Sequence, residues 1–455
     1  MERTLALETS KRVGKKVRLC GWVDRRRDHG QLVFIDLKDR SGVVQVVGKE
    51  KLGDLRISDV VEIEGKVRKR PKDLANPKIP TGAVEVGVEK IKVLAKSKDL
   101  PFDLHGEGYE ISEEVRLKHR YLDLRRPRLI RNLKLRHQVE NFIRDWLSKR
   151  DFIEVETPYI SKATPEGSRD FLVPSRLRPG EFYALPQAPQ QYKQLLMVAG
   201  LEKYFQIARV FRDEDPRADR AYGEYTQIDL EMSFADQDEI LNLAESLIIE
   251  VVEKVTDKKI YQKPFPRIPY RQAIKKYGAD RFDLRKEKDP DLLAFAWVVD
   301  FPLFEKTATK EISPSHNPFT APKDEDLPLL DKEPMKVRSW QHDLVCNGYE
   351  VAGGAVRIID PKLQAKIFKI LGHSQKEIEN KFGHLFQAFE YGVPPHGGIA
   401  MSVERLMMVF ANEKTTREVT AFPMTSGGQT AVMAAPSKVA PEQLKELGIK
   451  VVGKK

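Results

Sequence analysis

Cysteine is nearly absent: Cys20 and Cys346 are the only two in 455 residues. They sit in separate apolar contexts without CxxC spacing. That excludes a disulfide framework or a thiolate zinc cluster and reads as two reduced core thiols. No run of 18 apolar residues occurs, and Met1 to Lys11 holds no apolar signal core, so neither a membrane span nor a secretory leader is expected. The expectation is a cytoplasmic, soluble protein with no membrane partner. There is also no GxGxxG and no regular alternation of strand and helix, which disfavours a dinucleotide-binding fold. Internal repeats and low-complexity tracts are missing.

Charge, by contrast, is plentiful: 32% of residues are charged and the net charge is +10. The excess is concentrated, because residues 1–100 hold 24 Lys and Arg against 15 Asp and Glu. A basic module on a near-neutral body suggests a polyanionic partner gripped through one end.

Residues 13–100 read as five short strands, at 17–23, 32–37, 43–47, 60–67 and 84–94, separated by turn signals. Such spacing suggests a small β-barrel of the OB type. The domain boundaries expected are 1–103 for this barrel, 104–128 for a hinge or linker, and 129–455 for a second domain. In that domain apolar periodicity predicts helices at 129–149, 190–198, 237–255, 362–370, 376–391 and 403–412. Strands are expected at 152–155, 181–184, 205–210, 225–234, 297–300, 344–351 and 355–359. Strands meeting as hairpins with helices between them predict an antiparallel α+β fold.

Several constellations carry chemistry. Between the strand signals at 205–210 and 225–234 lies a loop containing Arg212, Asp213, Glu214, Asp215, Arg217, Asp219 and Arg220. Guanidinium forks of this kind suit a polyphosphate, with the carboxylates orienting them or holding Mg²⁺ and an amino group. The structural alternative is a solvated charged turn. In the first domain the Arg25-Arg26-Arg27-Asp28-His29 run is followed by Phe34 and Gln45 on the next strands. An exposed ring beside Arg is what a base-stacking platform requires. The alternative places Phe34 in the core.

Glu166 precedes Gln190 and Lys193 near apolar helices, where a carboxylate or amide would meet an ammonium and Lys a carboxylate. Glu350 and Arg357 are an odd seven apart, so a regular strand would point them to opposite faces. A bulge at the Gly353-Gly354 pair would bring both to one side, the alternative being that the two glycines serve helix packing. Finally, Gly397-Gly398 leads to Ser402-Val403-Glu404-Arg405 at a helix start, a ready anion site, the alternative being a surface Arg paired i,i+4 along the helix.

Taken together and in this order, these segments resemble the bacterial-type aspartyl-tRNA synthetases of class II. The likeness runs from Cys20-Gly21-Trp22-Val23 through Arg120-Tyr121-Leu122-Asp123-Leu124-Arg125-Arg126-Pro127 to Val432-Met433-Ala434-Ala435-Pro436. Phe152 to Pro158 resembles motif 1, which implies a homodimer. The 205–234 hairpin resembles motif 2, and Gly397 to Arg405 resembles motif 3.

The resemblance implies ATP-dependent attachment of L-aspartate to tRNA-Asp through an aspartyl-adenylate. It makes Arg212, Glu214 and Arg405 catalytic, and assigns ATP to Arg212, Asp213, Glu214, Glu350, Ser402, Val403, Glu404 and Arg405. It places aspartate among Glu166, Gln190, Lys193, Arg212, Asp229, His316 and Arg357. Mg²⁺ would fall to Asp343 and Glu350, and the anticodon to Arg25, Arg27, His29, Phe34 and Gln45. His29 resembles enzymes that charge both tRNA-Asp and tRNA-Asn, a surface turn His being the alternative.

The chain also departs from the pattern. Arg220-Ala221-Tyr222-Gly223-Glu224-Tyr225 lacks the usual Gln of motif 2 and is one residue longer. Asn317 replaces a second His, and the large insertion typical of the bacterial type is missing near 285–292. Non-aminoacylating paralogues and a catalytically dead RNA-binding protein are disfavoured, the first by the barrel and the second by Arg212, Glu350, Arg357 and Arg405. Lys193 with Arg357 favours an acidic amino acid over asparagine or lysine.

Overall fold

The structure is a computed structural model that describes residues 1–49, 52–163, 167–215, 217–220, 222–307 and 310–453. It divides into two compact units, Met1–Asp103 and Leu104–Lys455.

The first unit is a closed five-stranded barrel: β1 (Lys16–His29), β2 (Leu32–Lys38), β3 (Val43–Gly48), β4 (Val60–Lys69) and β5 (Val84–Ala95), in spatial order β1-β2-β3-β5-β4. The strict alternation in β2 and β4 explains it. Val33, Ile35, Leu37, Val61, Ile63 and Val67 all point into a β-branched core, while the residues between them face outward. β1 is longer than expected and carries Arg25 to His29 within the strand, paired with β2 down to His29↔Leu32.

In the second unit, α1 (Glu113–Lys118) and α2 (Arg120–Asp123) precede the long α3 (Pro127–Ser148). Residues 104–128, expected as a linker, belong to this unit. Four of their arginines, Arg116, Arg120, Arg126 and Arg128, are buried in an ion network. Asp123 accepts from Arg120 at 2.8 Å and from Arg126 at 2.8 Å, while Glu418 accepts from Arg116 at 2.6 Å and Arg128 at 2.9 Å. Glu418 is thereby held far below the usual carboxylate range, at about 2: burial alone would raise it, and the two guanidinia override that.

The central sheet has eight strands. Along the chain they are β6 (Ile153–Glu154), β9 (Lys203–Arg212), β10 (Gly223–Ser233), β12 (Arg267–Pro269), β14 (Phe295–Val299), β17 (Gln341–Cys346), β18 (Tyr349–Val356) and β19 (His396–Ser402). The intervening numbers are three small ribbons: β7 (Leu172–Pro174) with β8 (Phe182–Ala184), β11 (Lys259–Ile260) with β13 (Leu292–Leu293), and β15 (Phe304–Lys306) with β16 (Ile312–Pro314). Spatial order in the sheet is β12-β14-β17-β18-β19-β10-β9-β6. Its six inner strands are antiparallel, and only the two edge strands β12 and β6 pair in parallel.

One face of this sheet is apolar. Ile228, Leu230, Leu344, Ile399 and Met401 pack against α3, α5 (Gln237–Val255) and α9 (Val403–Phe410) in a single large core. Asp236 starts α5 with a capping box, its side chain accepting from the Glu239 amide at 2.9 Å while the Glu239 carboxylate accepts from the Asp236 amide at 3.0 Å. Along β10 the residues between the apolar ones are Gln227, Asp229 and Glu231, all buried and all on the opposite face. That polar face is the floor of the site. The helices α4 (Gln190–Val198), α6 (Tyr270–Tyr277), α7 (Pro361–Ile370), α8 (Gln375–Phe389) and α10 (Pro441–Glu446) complete the unit.

Two local expectations are corrected. The strand expected at 344–351 is two strands, β17 and β18, joined by an Asn347-Gly348 turn with φ of 52° and 92°. The bulge expected at Gly353-Gly354 lies instead at Val351, where pairing shifts between Leu344↔Ala352 and Val345↔Glu350. That extra residue is what brings Glu350 and Arg357 to one face.

Candidate active site

A cavity of about 500 Å³ opens on the polar face of the sheet. Its floor is β10, β17, β18 and β19, and α4, the 212–225 hairpin and parts of 270–317 form its walls.

At one end four buried charges make a row. Lys193, on α4, places its Nζ 2.5 Å from Asp229 Oδ1 and 2.9 Å from Glu231 Oε2. Arg357, the residue after β18, donates from Nε to Glu231 Oε1 at 3.0 Å and from Nη2 to Oε2 at 3.4 Å. Glu231 is fully buried. Burial would raise its pKa, but Arg357 and Lys193 override it and hold the carboxyl at about 2. Asp229 differs: burial pushes its pKa up against the pull of Lys193, and its Oδ2 has no hydrogen-bond partner. An unsatisfied buried carboxylate oxygen beside a cavity is an acceptor waiting for a donor.

Glycine makes room for this row. A Cβ on Gly398 would lie 2.2 Å from Glu231 Oε2 and 2.0 Å from the Leu230 carbonyl oxygen, and one on Gly354 would lie 2.1 Å from the Gly398 carbonyl oxygen. Neither site tolerates a side chain without moving a strand.

The other end is lined by guanidinium groups: Arg212, Arg220, Arg281 and Arg405. Arg212 ends β9, donates to the Gln187 carbonyl at 3.1 Å, and lies 5.3 Å over the Tyr225 ring. Arg405 is in the first turn of α9, where Ser402 caps the helix by accepting from its amide at 3.3 Å. Its Nη1 donates to the Glu350 carbonyl at 2.8 Å and its Nε to the Asp219 carbonyl at 3.1 Å. Four arginines around one concavity suit a polyphosphate.

Asp343 and Glu350 both line the cavity. Asp343 accepts from Gln341 at 2.8 Å and lies 3.0 Å from His316 Nε2, whose pKa rises because the Asp343 charge overcomes the lowering effect of burial. Glu350 lies 3.2 Å from Arg281 and 3.5 Å from Arg405. Among the described residues no group of three or more His, Cys, Asp or Glu forms a metal cage. Two carboxylates beside a phosphate site still fit Mg²⁺, which usually takes one or two protein carboxylates and completes its shell with phosphate oxygens and water.

The barrel carries the second constellation. Arg25, Arg27 and His29 alternate along β1, and cross-strand pairing sets Arg25 against Asp36, Arg27 against Phe34, and Asp36 against Gln45. All five expected anticodon residues therefore share one face. Phe34 is half-buried and stands outside the barrel core, with His29 edge-on to it at 5.6 Å. Arg27 makes a two-point pair with Asp36 at 3.1 and 2.7 Å, and Gln45 donates to Glu85 at 2.9 Å.

A cavity with an amino-acid-sized charged end and an arginine-lined end, carried on an antiparallel sheet in a chain that also holds a five-stranded barrel, has a clear match among known families. Residues 112–426 match the class II tRNA synthetases of the D, K and N group, and residues 17–94 match the OB-fold nucleic acid binding domain. The chain belongs to the class II tRNA synthetases.

An Aspartate--tRNA(Asp/Asn) ligase of Rubrobacter xylanophilus is 41% identical, with 96% of this chain and 94% of that protein covered. One of Pelagibacter ubique is 38% identical, with 97% of each covered. The Rubrobacter alignment spans 569 positions against 455 residues here, so that relative carries a long segment without counterpart. Among solved structures, the asparaginyl-tRNA synthetase of Pyrococcus horikoshii complexed with asparaginyl-adenylate superposes with a TM-score of 0.75 at 23% identity, covering 97% of this chain and all (100%) of that one. An aspartyl-tRNA synthetase from Entamoeba histolytica gives 0.73 at 21%, covering 93% and 91%. These two likenesses concern the fold.

In this synthetase the cavity gathers Gln190, Lys193, Arg212, Asp229, His316, Asp343, Glu350, Arg357, Ser402, Glu404 and Arg405 from the residues expected at the site. Glu166 lies outside the described residues. Three others do not line the cavity. Val403 is in the apolar core, Asp213 accepts from the Tyr222 hydroxyl at 3.1 Å, and Glu214 is held by Ser168 and Arg220. Glu404 lines it, yet its carboxylate is taken by Arg136 at 3.0 Å and by the Thr226 amide at 3.0 Å. Sequence reasoning did not assign Glu231, Gln341, Tyr225 or Arg281. The polar alternation Gln227, Asp229, Glu231 was the available signal for the first.

Proposed function

We propose that the chain activates L-aspartate with ATP and transfers it to tRNA-Asp and tRNA-Asn. The observation that carries this reading is the buried row Asp229, Lys193, Glu231 and Arg357. Two cations fixed by Glu231 suit a side-chain carboxylate, and the free oxygen of Asp229 suits an α-ammonium. A bidentate Arg disfavours the neutral amide of asparagine, and a lysine side chain would be repelled by both cations.

In this reading Gln190 and Asp229, with Glu166, hold the ammonium, Lys193 and Arg357 clamp the side-chain carboxylate, and His316 closes over it. Arg212 bridges the α-carboxylate and the α-phosphate. Arg405 and the start of α9 at Ser402 hold the nucleotide, while Asp213, Glu214 and Glu404 order the surrounding loop and helix. Asp343 and Glu350 are the carboxylates for Mg²⁺, which would neutralise phosphate charge.

The chemistry asks little of the side chains as acids or bases. The α-carboxylate is already a nucleophile. It attacks the α-phosphorus, the bond to the bridging oxygen breaks, and pyrophosphate leaves with the electron pair. Positioning and charge neutralisation carry the rate. A terminal ribose hydroxyl then attacks the carbonyl carbon of the adenylate, the bond from that carbon to the phosphate oxygen breaks, and AMP departs with the hydroxyl proton taken up by its phosphate.

The barrel face of Arg25, Arg27, His29, Phe34 and Gln45 is read as the anticodon platform. His29 and the naming of the relatives as Aspartate--tRNA(Asp/Asn) ligases support the wider repertoire. The motif 1 resemblance supports a homodimer, and half-exposed Ile153 on edge strand β6 supplies apolar surface there. No helix among the described residues is long and apolar enough to cross a membrane, and a cytoplasmic location fits a tRNA substrate.

The test is aminoacylation of separate tRNA-Asp and tRNA-Asn transcripts with radiolabelled aspartate. Charging of both is expected. Charging of tRNA-Asp alone would remove tRNA-Asn from the reading, and charging of neither by folded protein would overturn it.

A further inference from the structure

The segment that follows α6 is where the chain runs almost directly from Leu284-Arg285 to β14, with no long insertion. It is drawn tight by Arg285, which pairs with Asp283 at 2.8 Å and donates to the Asp289 carbonyl at 2.7 Å. The same segment delivers two side chains, Asp280 and Arg281, into the lining of the cavity.

Arg281 has one ion pair among the described residues, a contact of 3.2 Å from Nη2 to Glu350 Oε2. That oxygen is also 3.5 Å from Arg405 Nη1. Two guanidinium groups thus share one carboxylate oxygen. Arg405 has further partners at the Glu350 and Asp219 carbonyls, whereas among the described residues Arg281 has no partner beyond this single contact. Its side chain is 35% exposed, so it stands at the cavity mouth with room to turn. Were Glu350 to serve as a Mg²⁺ ligand, Arg281 would be left without its counter-charge beside the arginine-lined end of the site.

We propose that Arg281 is a polyphosphate-binding residue of the adenylation step, gripping the β- and γ-phosphates of ATP and the pyrophosphate they become. The assignment rests on the adenylate reading above and deepens it. Arg212 meets the α-phosphate, so a guanidinium at the mouth is free to neutralise the charge that grows on the leaving group. In the free protein Glu350 holds Arg281 in place and keeps the mouth from presenting an unpaired cation.

The experiment is calorimetric binding of ATP, pyrophosphate and AMP, each with Mg²⁺, to the wild type, Arg281→Ala and Arg281→Lys. Circular dichroism melts confirm that the variants fold. Loss of a charge-assisted contact should weaken ATP and pyrophosphate by about tenfold or more in the alanine variant. AMP, which lacks the outer phosphates, should bind unchanged, and lysine should restore part of the loss. In pyrophosphate exchange the KM for ATP should rise while the KM for aspartate stays.

Equal pyrophosphate affinity in wild type and Arg281→Ala would overturn the assignment. So would an equal loss for AMP, because that pattern marks a merely structural role. If the wild type shows no aspartate-dependent exchange, the adenylation reading fails and this assignment with it. Normal exchange with no effect of Arg281→Ala sinks the assignment alone.

Discussion

Replacing Glu231 by Gln removes one negative charge from the centre of the buried row and changes little else. Lys193 keeps Asp229 at 2.5 Å, but Arg357 loses its only ion pair among the described residues and becomes an uncompensated buried cation. Two routes give the size of the effect. Breaking one partner out of a buried pair typically costs about 3–5 kcal/mol. Holding the carboxyl at about 2 against an ordinary 4.5 corresponds to roughly 3 kcal/mol. The variant should therefore melt at least roughly 5 °C below the wild type at pH 7.

The pH dependence adds a sharper signature. Because the Glu231 pKa is depressed in the folded state, its stabilisation is complete above 4.5 and is lost as pH falls toward 2. The gap in melting temperature between wild type and variant should thus narrow as the pH is lowered through that window. Adding Arg357→Met removes the orphaned cation and should recover much of the stability while abolishing aspartate binding. Melting followed by circular dichroism between pH 7 and pH 3 is the assay. An unchanged melting temperature, or a gap that does not vary with pH, would refute the electrostatic reasoning.

Glu418→Gln is the corresponding change in the network that fixes residues 104–128. It strips Arg116 and Arg128 of a shared acceptor and should cost about 3 kcal/mol, again with a gap that closes as pH falls from 4.5 toward 2, where Glu418 itself titrates; thermal melts read both. On the barrel, His29→Leu keeps an apolar body beside Phe34 but loses the ring, so charging of tRNA-Asn should fall by about tenfold or more while tRNA-Asp is nearly unaffected; transcript aminoacylation measures the ratio.

Much of this architecture was legible from local pattern. Helices α4 and α5 have the ends that periodicity predicts, because Pro189 and the Asp236–Glu239 capping box mark their starts in the sequence itself. The barrel strands follow from alternation, and the five residues proposed to read the anticodon fall on one face because cross-strand register preserves it. The misread strand at 344–351 shows the limit. The apolar run masked an Asn-Gly turn, although that dipeptide is a strong hairpin signal.

The placement of the bulge at Val351 depends on how β17 and β18 pair, which no single strand discloses. Glu231 was missed for a related reason: its role comes from partners 38 and 126 residues away, Lys193 and Arg357, brought together only by the sheet. Residues 104–128 read as a linker because Pro101, Gly106 and Gly108 precede a basic stretch, whereas the acceptors of Arg128, Glu413 and Glu418, lie nearly three hundred positions downstream.

The most direct test of the account is ATP–pyrophosphate exchange by the purified wild-type chain with aspartate, asparagine or lysine as the only amino acid. Exchange that requires Mg²⁺, depends on aspartate, and falls to background with asparagine and lysine is the predicted result. Exchange driven equally well by asparagine or lysine, or none with any of the three, would contradict the claim that Lys193 and Arg357 select an acidic side chain for adenylation.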